Sequence, residues 1–137
     1  MILLVDIGNS RVKWAKLERG ALGAQRAAAH AGWTAADWRA RLFEDGPVDA
    51  VLAATVAGDA SAAALTEAAR IAAGVEPRFV ATSREAAGVR NGYADPSLLG
   101  VDRWLAVIGA YHRMRGACVV ADIGTAATID VVAADGR

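Results

Sequence analysis

A single cysteine in 137 residues leaves no partner for an internal disulfide. That residue, Cys118, lies in the apolar run ACVVA and reads as a small buried hydrophobe suited to a reducing compartment. Neither charge sign is in excess, with 15 Lys and Arg against 15 Asp and Glu. This balance argues against broad electrostatic attraction to nucleic acid or an anionic membrane, so any anion site has to be built locally. No uncharged apolar stretch approaches the roughly 18 residues that a membrane helix requires. The opening MILLVDIG lacks the basic flank and small-residue cleavage pattern of a signal peptide, so the expected address is the cytoplasm. His30 and His112 are the only histidines, and neither has a partner at metal-ligand spacing. Also missing are a Gly-Lys-Ser/Thr phosphate loop and a Gly-x-Gly-x-x-Gly turn, which removes the two commonest nucleotide-binding folds.

What is present is apolar and ordered: 55% of residues are hydrophobic and 22% charged, enough for one domain with a real core and short for two. Residues 2–5 form a continuous apolar run, read as a strand covered on both faces, with Gly8 as its breaker. Alternation over residues 11–17 gives a second strand and residues 25–29 a third, all antiparallel. The period then changes. Thr34 followed by Asp37 resembles a capping box opening an amphipathic helix through Trp38 and Leu42. A strand over 48–55, an alanine-rich helix over 61–73 closed by Gly74, and a short strand over 78–81 follow. A helix over 101–114 carries Trp104, Leu105, Ile108 and Tyr111 at helical spacing, and strands over 117–121 and 128–133 end the chain. Trp33, Trp38 and Trp104 are expected in the core.

Strands alternating with helices imply parallel crossovers onto a mixed sheet. The order matches an α/β ribonuclease-H-like domain, the half-unit of actin-like ATPases, in which two halves each present a hairpin to a nucleotide. The expected division is an N-terminal domain over 1–116 and, from 117 to 137, only the first hairpin of a second similar domain. Fifteen residues after Asp122 supply two strands and nothing to cover them, which suggests a partial sequence of a two-domain protein. The competing reading is that the last hairpin completes the first sheet.

Three segments carry the chemistry. In DIGNSRVKW, residues 6–14, Gly8 lets the backbone approach an anion closely, and Asn9, Ser10, Arg11 and Lys13 add donors around the same turn. Asp6 would repel phosphate on its own and makes sense if it holds a hydrated Mg²⁺ that the phosphates share. DIGTAATID, residues 122–130, repeats the grammar with Asp122, Gly124 and Thr125. Either Asp-x-Gly taken alone reads first as a strand-end turn in which Asp caps its own backbone, and Arg11 and Lys13 also read as a solvated strand face. In NGYADPSLLGVDRWLAVIGA, residues 91–110, Gly100 and Asp102 open a helix whose N-terminus favours an anion. Asp102 is either a simple N-terminal charge or a base for a substrate hydroxyl attacking a γ-phosphate. Arg103 beside it suits a substrate carboxylate, and Tyr93 either lines a pocket or packs a loop.

The segments DIGNSRVKW, YADPSLLGVDRW and DIGTAATID together resemble the three signature motifs of the type III pantothenate kinases, in that order and nearly end to end. The resemblance implies an actin-like fold and ATP-dependent phosphorylation of pantothenate to 4'-phosphopantothenate, the first step of coenzyme A biosynthesis. It also implies a homodimer that needs Mg²⁺ and a monovalent cation, K⁺ or NH₄⁺. By motif, Asp6, Ile7, Gly8, Asn9, Ser10, Arg11, Val12 and Lys13 would form the ATP phosphate loop, and Thr125 would contact ATP. Tyr93, Gly100, Val101, Asp102 and Arg103 would bind pantothenate, with Asp102 as proton acceptor. Asp122 would hold the monovalent cation, where its residues alone suggested Mg²⁺. The family's later glycine-rich segment and pantothenate-contacting Thr are not in this sequence. Two other readings remain at this level: a non-catalytic accessory factor for gene expression built on the same fold, and an actin-like kinase for a sugar or short-chain acid.

Overall fold

The computed structural model describes residues 1–124 and 126–137. The chain divides into two compact units, Met1–Val80 and Ala81–Arg137.

In the first unit, β1 (Ile2–Ile7) and β2 (Arg11–Glu18) form an antiparallel hairpin, followed by β3 (Ala21–Leu22), β4 (Arg26–Ala29), α1 (Ala35–Leu42), β5 (Ala50–Thr55), α2 (Asp59–Ala73) and β6 (Arg78–Phe79). The sheet order is β3-β2-β1-β5-β6, with β4 also pairing β2. β5 runs parallel to β1 and β6 parallel to β5, so the mixed α/β sheet expected from the element order is present. The predicted third strand is β4, and it is preceded by the two-residue β3 and a bend at Gly23, whose N–H donates to the Lys16 carbonyl at 2.8 Å.

β1 is not covered equally on its two faces. Leu3, Val5 and Ile7 are buried while Ile2, Leu4 and Asp6 are only half-buried. The buried set packs with Val12 and Trp14 of β2, Trp38 and Leu42 of α1, and Leu65, Ala68 and Ala69 of α2, so both helices serve the same face of the sheet. Strand alternation therefore leaves Asp6 on the face away from that core. A run of four apolar residues cannot reveal this, because Ile2 and Leu4 are as hydrophobic as the residues they flank.

The capping box is formed: the Thr34 hydroxyl accepts from the Asp37 N–H, and the Thr34 N–H donates to Asp37 Oδ2 at 2.8 Å. Gly74 closes α2 in the left-handed conformation at φ 68°. Trp38 is buried, whereas Trp33 stays half-buried, edge-on to Trp38 and under the Arg41 guanidinium.

The second unit begins with a small hairpin, β7 (Glu85–Ala86) and β8 (Val89–Arg90), which sequence periodicity did not indicate. A single 3₁₀ turn at Pro96–Leu98 then leads into α3 (Val101–Met114). β9 (Cys118–Ile123) and β10 (Ala127–Val132) form an antiparallel ribbon on their own. Val89, Leu99, Trp104, Val107 and Val132 form this unit's core, with Ile108, Tyr111, Cys118 and Val120 against it. Val107 takes the place anticipated for Leu105, which is exposed. Cys118 is half-buried. No helix among the described residues is long and apolar enough to cross a membrane.

Candidate functional site

In the first unit the Asp6–Lys13 segment is the β1–β2 hairpin itself. Asp6 pairs across the strands with Lys13, whose Nζ lies 3.6 Å from Asp6 Oδ2. Both side chains are partly exposed, so the pair contributes little to stability. The turn closes where the Gly8 N–H donates to the Arg11 carbonyl at 2.9 Å. A Cβ on Gly8 would stand 3.2 Å from that same oxygen, closer than an ordinary van der Waals contact. Asn9 and Ser10 are exposed at the tip, and Arg11 is exposed at the start of β2. Ile7 and Val12 are fully buried, so only their backbone is available to a ligand. His30, set aside as a metal ligand, places Nε2 2.7 Å from the Gly8 carbonyl and ties the hairpin to the segment after β4.

In the second unit Gly100 is the N-cap of α3, and its carbonyl accepts from the Trp104 N–H at 3.0 Å. Asp102 lies in the first turn, where Oδ1 accepts from the Arg103 N–H at 2.8 Å. This is the end of a helix at which a carboxylate is favoured. Arg103 projects toward β10: Nε and Nη2 donate to Oδ2 and Oδ1 of Asp130 at 3.0 and 2.6 Å. Asp130 holds the guanidinium well above its ordinary pKa against the opposing effect of burial, and the Tyr93 side chain acts in the same direction from hydrogen-bonding reach.

Tyr93 is held by its own backbone. Its N–H donates to the side-chain oxygen of the buried Asn91, and its carbonyl accepts from Arg84 Nη1 at 2.6 Å. Tyr93, Arg103 and Asp130 meet at a cleft of about 450 Å³, whose apolar wall includes Leu99 and Val107. That size lies in the range of small-molecule sites.

Asp122 lies opposite Thr128 on the ribbon, at the exposed end of β9. Alternation places Asp122, Thr128 and Asp130 on the ribbon face that also carries Val120 and Val132, the residues packed in the core with α3. Thr125 lies outside the described residues. No cluster of three metal-ligating side chains occurs among the described residues. A single carboxylate such as Asp6 or Asp122 nevertheless fits cations that take their remaining ligands from water and substrate phosphate.

Sequence reasoning missed Arg84, Asn91 and Asp130. Only Asp130 left a trace, sharing its even-numbered register on the last strand with Thr128 and, across the ribbon, Asp122.

Fold and site together define an α/β protein with a glycine-bearing hairpin in one unit and an arginine-lined cleft in the other. The model of the family "Type III pantothenate kinase" matches residues 2–137. The chain belongs to the type III pantothenate kinase family. It is 38% identical to the type III pantothenate kinase of Nitrosococcus oceani over 153 aligned positions, covering 100% of this chain and 54% of that protein. It is 41% identical to that of a Polaromonas species over 145 positions, covering 98% and 56%. The chain thus spans about half the length of the curated relatives it matches. A solved structure described as the Aquifex aeolicus PPX-GPPA enzyme is similar with a TM-score of 0.44 and 14% identity, covering 98% of this chain and 48% of that one.

Proposed function

We propose that the complete protein transfers the γ-phosphoryl group of ATP to pantothenate, giving 4'-phosphopantothenate for coenzyme A biosynthesis. The observation that carries this reading is the match to the family over residues 2–137, which takes in all three motif segments. The geometry of each unit supports it. The hairpin of residues 6–13 holds the ATP phosphates with backbone N–H groups around Gly8 and with Lys13, which leaves Asp6 when the phosphates arrive. Tyr93, Gly100, Val101 and Arg103 hold pantothenate, and the Arg103 guanidinium meets its carboxylate. Asp102 takes the proton of the attacking hydroxyl, and the helix N-terminus behind it stabilises the carboxylate before that transfer.

Mg²⁺ bound through Asp6 would neutralise charge on the phosphates, and Asp122 would hold a monovalent cation, K⁺ or NH₄⁺. Thr125 would contact ATP. The protein would act in the cytoplasm as a homodimer, and the domain boundary at residues 116 and 117 would separate its two actin-like halves.

The test is phosphopantothenate formation by the chain continued to the length of its relatives, with ATP, Mg²⁺ and K⁺. Asp102→Asn should lower turnover by about 10²- to 10⁴-fold while pantothenate still binds. Turnover unchanged by that substitution would remove Asp102 from its role. Absence of product from a folded wild-type protein would favour a non-catalytic accessory factor of the same fold.

A further inference from the structure

Arg103 is the residue proposed to meet the substrate carboxylate, and its guanidinium is already engaged. Asp130 takes it side-on, accepting from Nε and Nη2 at 3.0 and 2.6 Å. Both side chains are well covered, at 25% and 15% exposure, unlike the Lys13–Asp6 pair at 48% and 40%. A fork of this geometry fixes the plane and direction of the guanidinium, which a point-charge contact does not. Of the five donors on an arginine, those on Nη1 are not committed to Asp130. Tyr93, Arg103 and Asp130 all line the same cleft.

We propose that Asp130 is the positioning residue of this cleft, orienting Arg103 so that its remaining edge faces the substrate carboxylate. The proposal rests on the kinase reading above and extends it to a residue whose only contribution is through Arg103. Asp130 also offsets the arginine's charge, so the cleft selects a carboxylate by direction more than by net positive potential. Without Asp130 the long arginine side chain regains rotamer freedom that must be lost again on binding. A merely structural role is the competing account: the pair joins α3 to β10, and its loss would lower stability without touching substrate affinity.

Steady-state kinetics of the chain continued to the length of its relatives distinguish the two. Asp130→Asn, nearly equal in size, should raise KM for pantothenate about tenfold, with kcat and KM for ATP within about threefold of wild type. On an Arg103→Ala background the same substitution should change KM by less than about twofold, because a residue acting through Arg103 has nothing left to act on. Asp130→Glu, which keeps the carboxylate, should recover part of the affinity and covers the case of a misfolded Asn variant. If Asp130→Asn leaves KM for pantothenate unchanged, or acts equally with and without Arg103, the positioning role is wrong and the kinase reading stands. If folded wild-type protein makes no phosphopantothenate, the kinase reading fails and this proposal fails with it.

Discussion

Asp6 follows directly on an apolar run, and its surroundings accommodate the charge. The core takes Leu3, Val5 and Ile7, so the carboxylate stands on the opposite face with Lys13 across the ladder. Gly8 is constrained in another way. A methyl group there would stand 3.2 Å from the Arg11 carbonyl, a backbone atom that accepts the Gly8 N–H and would have to give way by a few tenths of an ångström. Gly8→Ala should therefore cost about 1 kcal/mol, read as a drop of several degrees in the thermal midpoint. An unchanged midpoint would mean that the hairpin relaxes at no cost and that the glycine is not required by space. Arg103 was recognisable from its neighbours in sequence, but its partner was not. Asp130 lies 27 residues further on, and only folding brings the two together.

At the scale of elements, local rules served best where the interaction is local. The helix Val101–Met114 and the capping box of α1 were both legible, since each depends on residues within one or two turns. Thr34→Ala should destabilise the protein by about 1 kcal/mol, measurable by chemical denaturation. The Thr34 hydroxyl and N–H hold Asp37 below its ordinary pKa. A depressed carboxylate stabilises the fold above its unfolded value and loses that contribution as pH falls through the folded one. In the Thr34→Ala variant this acid-side loss should shrink, and an identical acid-denaturation profile would contradict the capping role. The β7–β8 hairpin was not legible, because strands of two residues carry no period. The Tyr93 segment depends on Arg84 and Asn91, whose contacts go mainly to backbone atoms that no side-chain pattern encodes.

For the whole molecule, the mixed sheet and the family were accessible because strand–helix alternation and three motifs extend along the entire chain. That the last two strands would lack a cover was legible as well. The outer face of the β9–β10 ribbon is bare, with Val119 65%, Ile123 84%, Ile129 71% and Val131 70% exposed. That apolar surface accords with a chain spanning about half the length of its relatives. Phosphorus NMR of the extended protein with ATP, Mg²⁺, K⁺ and pantothenate tests the central claim most directly. A new phosphomonoester signal should grow only when pantothenate is present, in step with the loss of the ATP γ-signal. Loss of the γ-signal to inorganic phosphate alone, or no change in ATP with a correctly folded protein, would contradict it.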